Sequence, residues 1–253
     1  MAIQLAALLR TIFFVLGSIM VATLIYTISI DGLPFRRDLL TPWMAATLVD
    51  FYINVVPLAA WIYYKESNSI SAIIWIILLV CLGSIATCAY IFIQFLNLSP
   101  EESLKDPIYH VLLRHEERDG VEKRSKHPPV VVARIAFSSL GCLMLGTLIY
   151  TSVTDGSPFR KEVFTPWMVA TLVDFYINVV SISVWFVYKE SSWIHSLLWI
   201  TLLVCVGSVA TCAYIVIQLL QLASQDPLYL VLFAKDKAEN RYENLAVGKQ
   251  GRN

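Results

Sequence analysis

Two aspartates stand where charge is expensive. Asp50 and Asp174 each lie seven residues inside a long apolar stretch, about 10 Å deep at ~1.5 Å of helical rise per residue. A carboxylate at that depth must face a bundle interior or water. Thr47, Asp50 and Asn54 fall at i, i+3 and i+7 on one helical stripe, and Thr171, Asp174 and Asn178 repeat it. With the asparagines near mid-length, such a stripe suits a midplane site for a cation, a proton or a small polar solute. Arg10 and Arg134, also inside apolar stretches, offer a different chemistry. Crossed ion pairs, Asp50–Arg134 and Asp174–Arg10, would neutralise the buried charge and fix how two halves dock.

Other reactive residues carry less. Cys81 and Cys88, seven apart, are about 10 Å distant along a helix and cannot share one metal. With Ser84 they form a small-residue stripe suited to close packing, repeated by Cys205, Ser208 and Cys212. A site joining all four cysteines is the alternative. Cys142 reads as lone and buried, and no disulfide framework is suggested. His110, His115 and His127 fall in a charged segment and His195 at an interface, all without ligand spacing. There is no GxSxG, no HExxH and no Gly-rich phosphate loop. An enzyme is not expected, nor a cofactor or metal. Pro57, replaced by Ser181 at the equivalent position, marks either a gate or discontinuous helix, or a tolerated membrane-helix proline.

The elements that must position these residues follow from composition. Of 253 residues, 57% are hydrophobic and 15% charged, with nineteen Lys+Arg balancing nineteen Asp+Glu. That ratio is far from a soluble domain's, and zero net charge argues against a nucleic-acid binder. Residues 101–134 and 226–253 hold 23 of the 38 charges. Six windows reach the ~20 residues a bilayer requires: Leu5–Ile28, Trp43–Tyr64, Ala72–Leu96, Val130–Val153, Trp167–Tyr188 and Leu197–Leu220. The expected fold is an all-α polytopic membrane helix bundle, with the first span retained rather than cleaved as a signal.

A duplication organises it. Residues 41–56, TPWMAATLVDFYINVV, recur at 165–180 with a single difference, Ala45 against Val169. At the same offset Arg10 matches Arg134, Lys65-Glu66 matches Lys189-Glu190, and Asp31-Gly32…Phe35-Arg36 matches Asp155-Gly156…Phe159-Arg160. Three spans per half is an odd number, so the reading is two inverted three-helix repeats about an axis in the membrane plane. Under that arrangement nine basic residues fall on one side and ten on the other, which gives no orientation. The domains are then 1–98, the first repeat; 99–129, a charged linker with a short interfacial helix; 130–222, the second repeat; and 223–253, an interfacial segment and polar tail. Asp106-Pro107 and Asp226-Pro227 each look like a helix cap and first residue. The repeated DGxPFR loops would dip Phe into the interface and set basic residues against headgroup phosphates.

The duplicated PFR/K…TPWMxATLVDFYIN block resembles an uncharacterised family of plant multi-pass membrane proteins, domain of unknown function 1475, over nearly the whole chain. The resemblance implies plant origin and membrane residence and supplies no activity. Two functions remain open. One is a small inverted-repeat transporter or channel for a cation or small polar solute, with the Asp stripes as its site. The other is a non-catalytic scaffold or subunit, its Asp and Arg structural, that meets a membrane protein partner or a second copy of itself. A polar cavity reaching Asp50, Asn54, Asp174 and Asn178 would favour the first; a dry, closed centre would favour the second.

Overall fold

A computed structural model describes residues 2–34, 36–113, 130–223 and 226–233. His115, His127, Pro128-Pro129, Phe35 and the tail from 234 lie outside them. The described residues are helical with no strand. In chain order the helices are α1 (Ala2–Asp31), α2 (Pro42–Lys65), α3 (Ser69–Leu82), α4 (Ser84–Leu96), α5 (Pro100–Lys105), α6 (Pro107–Leu112), α7 (Val130–Asp155), α8 (Pro166–Lys189), α9 (Trp193–Val206) and α10 (Ser208–Leu220). Four of them, α1, α2, α7 and α8, are long and apolar enough to cross a membrane. The TPW motif starts α2 and α8. Thr41 and Thr165 accept from Met44 N and Met168 N, each at 3.2 Å, and a proline takes the first helical position.

The windows expected as third and sixth spans are not continuous helices. Each breaks at a glycine, Gly83 (φ +56°) and Gly207 (φ +57°), a backbone state that L side chains rarely adopt. The two arms fold back on each other. Trp75 and Tyr90 would be about 22 Å apart on one straight helix, yet their rings meet at 5.1 Å, and Trp199 meets Tyr214 at 5.0 Å. Glu66 fixes the fold: its carboxylate accepts from Ser71 Oγ at 2.7 Å and from Tyr90 OH at 2.8 Å, one residue from each arm. Glu190 accepts from Tyr214 OH at 2.8 Å in the second half. The result is a pair of helical hairpins, α3–α4 and α9–α10.

This changes how the halves relate. Two long helices and a returning hairpin bring each half back to the end where it started. Trp43 Nε1 donates to Gly156 O and Trp167 Nε1 to Gly32 O, each at 3.2 Å, so the loops after α1 and α7 share one end, here the short-loop end. Opposite, at the linker end, Tyr64 stacks on Tyr229 at 5.3 Å and Tyr109 meets Phe233 at 5.1 Å. Both ends of one half therefore meet the corresponding ends of the other. The halves run parallel, and the expected inverted arrangement is corrected. The error was one of parity, a hairpin read as a span.

Candidate functional site

The charges within the apolar helices do not pair as expected. Asp50 Oδ1 accepts from Ser208 N at 2.6 Å, and Asp174 Oδ1 accepts from Ser84 N at 2.7 Å. Each aspartate thus caps the inner arm of the other half's hairpin, at the N–H that the glycine break leaves without a helical acceptor. The cap needs that glycine for a second reason: a Cβ on Gly83 or Gly207 would collide with the facing carboxylate. A carboxylate at a helix N-terminus also meets the positive end of the dipole.

The arginines cap the opposite ends of the same arms. Arg10 Nη2 donates to Phe95 O at 3.2 Å, and Arg134 Nη2 donates to Leu219 O at 2.9 Å and Leu222 O at 2.7 Å. Along α4, Ser84 and Phe95 are about 16 Å apart, so Asp174 and Arg10 sit at opposite ends of one arm. Asp50 and Arg134 do likewise on α10. The crossed Asp–Arg pairs are therefore corrected: anion at the N-terminus and cation at the C-terminus, with the helix dipole between them.

The rest of each stripe is half-buried at Thr47 and Thr171 and buried at Asn54 and Asn178. Thr47 and Thr171 hydroxyls turn back to Trp43 O and Trp167 O, each at 2.9 Å. Asn54 Oδ1 accepts from Thr211 Oγ1 at 2.6 Å, and both residues are buried. Asn178 is equally buried but neither amide atom finds a partner, and its repeat-mate contact is not made because Thr87 Oγ1 turns to Gly83 O at 3.4 Å. α2 runs through Pro57 unbroken, so the discontinuities lie at Gly83 and Gly207 instead.

The sequence reading missed the glycine breaks and the Lys-Glu pair that follows α2 and α8. The signal for the first was Gly-Ser repeated in mid-window at the same offset, residues 83–84 and 207–208. The Lys-Glu dipeptides were visible only as part of the repeat. Beside the hairpin-closing glutamates, Lys65 Nζ donates to Leu113 O at 2.5 Å and His110 O at 3.1 Å, and Lys189 Nζ donates to Val231 O and to Phe233 O. These amines tie α6 and the 3-10 turn Leu228–Leu232 across the linker end. Both segments are docked, with Val111, Leu112, Tyr229 and Leu230 buried. Asp106 caps α6 by accepting from Tyr109 N at 3.1 Å, as expected. Asp226 does not cap a helix; it accepts from Ala223 N at 2.6 Å.

Smaller expectations resolve similarly. Cys88 and Cys212 are close-packing residues, with Gly17 and Gly141 against their Cβ atoms. Cys81, Cys205 and also Cys142 are exposed, so Cys142 faces outward rather than in. In the short loops Arg36 pairs with Asp31 at 2.6 Å and Arg160 with Asp155 at 3.0 Å, local anions rather than only headgroups. Asp31 holds the Arg36 guanidinium above its ordinary range through that hydrogen bond. His110 is half-buried, 3.7 Å from Glu102.

A cavity of about 370 Å³ lies between the halves. Its walls include repeat mates from each: Phe13 with Phe137, Trp61 with Trp185, and Ile91 with Ile215. Among the described residues, no Asp, Glu, Lys, Arg, His or Asn lines it. α6 and the Leu228–Leu232 turn contribute to its linker-end wall.

The model of the family described as Protein of unknown function (DUF1475) matches the chain in two segments, residues 3–119 and 116–239, and the chain belongs to that family. No curated protein and no solved structure matches it.

Proposed function

We propose that this is a polytopic integral membrane protein of four full spans and two re-entrant hairpins, acting as a non-catalytic binding protein or subunit rather than an ion conduit. One observation carries this reading. Both carboxylates already serve as caps for the opposite hairpin, and the central cavity has neither in its lining. Each hairpin arm has 14 or 13 residues, short of the ~20 needed to cross. The hairpins therefore enter from the linker end and return to it, and the axis relating the halves runs along the membrane normal. The transport reading keeps one supporting feature, namely interrupted helices with N-termini inside the bundle, as transporters use. A liposome flux assay separates the two. Asp50→Asn and Asp174→Asn are expected to lower stability and leave any cation or solute flux unchanged; flux abolished in variants that remain folded would overturn the proposal.

Parallel halves also supply an orientation. Of nineteen Lys and Arg, the short-loop end holds Arg36, Arg37, Arg160 and Lys161, and the other fifteen belong to the linker end or to segments attached there. The positive-inside rule then sets the linker end in the cytosol. Single cysteines at Leu33 and Ser157 in a cysteine-free background test this directly. Both should react with an impermeant reagent from the same, non-cytosolic side, whereas inverted halves would set them on opposite sides.

A further inference from the structure

We infer that the central cavity holds one acyl chain of a membrane phospholipid, drawn from the leaflet at the linker end. The cavity lies in the half of the bundle between the hairpin arms and the docked segments, with Pro57 and Ser181 in its wall. Its mouth is on the outside. Ala60 and Tyr63 belong to its lining and are exposed, Tyr63 by 63%. They continue a stripe of exposed side chains on α2, Tyr52, Val56, Ala60 and Tyr63, that faces the bilayer. The cavity therefore joins the lipid-facing surface at the depth of the hydrocarbon, and lipid chains are its nearest solvent.

The wall chemistry selects the same occupant. With no charged side chain among the described residues of the lining, the portion of a ligand buried there must itself be uncharged. The volume lies within the usual range for small-molecule sites, roughly 300–1,000 Å³. Apolar cavities of this kind stay free of water, so an aliphatic chain gains contacts that water would not replace. Nearby cations do not recruit an anionic head into the cavity. Lys65, Lys189, Arg10 and Arg134 are directed to backbone carbonyls instead. The headgroup would stay at the interface while the chain enters laterally past Ala60.

The test is native mass spectrometry of the full chain, purified in detergent and washed, with Ala60→Trp at the mouth and Ile73→Trp on the lipid-facing side of α3 as control. Wild type and Ile73→Trp should each retain about one phospholipid, and Ala60→Trp should lose it by roughly tenfold, the cost of overfilling a packed site. Ser181→Leu, which fills the wall from the other half, should lower retention in the same direction, with melting curves confirming that each variant is folded. Equal retention in Ala60→Trp and Ile73→Trp would overturn the proposal. So would a wild type that carries no lipid, or only a sterol.

Discussion

The two halves offer a comparison that few proteins allow, almost the same sequence folded twice within one molecule. In some places they agree to within a tenth of an ångström. Asp50 and Asp174 cap the opposite hairpins at 2.6 and 2.7 Å, Trp43 and Trp167 reach the opposite loops at 3.2 Å, and Tyr90 and Tyr214 meet their glutamates at 2.8 Å. In others they part. Asn54 is held by Thr211, while Asn178 is unpaired; Trp185 Nε1 donates to Leu232 O at 3.1 Å, while Trp61 Nε1 has no partner. α6 has a 3-10 turn as its counterpart. The agreements all join or close helix ends, and most of the differences involve the cavity wall, at Thr211, Trp61, Trp185 and the two docked segments. What both halves share holds the fold, and what they do not share shapes the space between them.

If that division is right, the glycines are where it breaks hardest. Gly83→Ala and Gly207→Ala each put a Cβ into a positive-φ turn and against a capping carboxylate. Each should cost about 3 kcal/mol or more, combining backbone strain with a displaced charge. Thermal unfolding in detergent should show the same large loss for both. A variant that melts like wild type would mean that the hairpin turn is not what the fold depends on.

The next effect is smaller and should again be equal in the two halves. Asp50→Asn and Asp174→Asn keep an oxygen for the serine N–H but lose the charge, at about 1–2 kcal/mol each from the helix dipole in a partly buried site. Midpoints that differ sharply between the two would show that one carboxylate does more than cap.

Much of this was readable beforehand. The duplication, the helix starts at Thr41-Pro42 and Thr165-Pro166, and the four charges that matter all stand in the sequence. So did the idea that each aspartate crosses to the other half. Its partner was not legible, because a backbone N–H left free by a break leaves no mark in an inventory of side chains. The hairpins were hidden for a related reason. Ala72–Leu96 has the composition of a span whether it crosses or returns, and only the Gly-Ser at its middle tells the two apart. From that one misreading followed the inverted repeat and the near-even division of basic residues.

Thr211 and Thr87 sharpen the comparison from the other side, since here the halves should respond differently. Thr211→Val removes the 2.6 Å bond to Asn54 and leaves a buried amide oxygen unpaired, a loss of roughly 1–2 kcal/mol. Thr87→Val removes only a 3.4 Å turn back to its own helix and should be within about 0.5 kcal/mol of neutral. Equal losses would show that Thr87 and Asn178 pair in solution and that the asymmetry is not a property of the fold.

The smallest expected effect concerns Pro57, the one proline of the duplicated helix without a counterpart. Proline supplies no N–H to the carbonyl of Ile53, whereas Ser181 supplies both an N–H and a hydroxyl that turns back to Ile177 O at 3.3 Å. Pro57→Ser makes the first half resemble the second. It should raise the melting midpoint slightly, by the equivalent of at most about 1 kcal/mol, since the helix already runs through the proline and part of its cost is met by packing. If the substitution destabilises instead, the ring's contact with the cavity outweighs the missing hydrogen bond, and the first half owes its shape at this point to the space it borders.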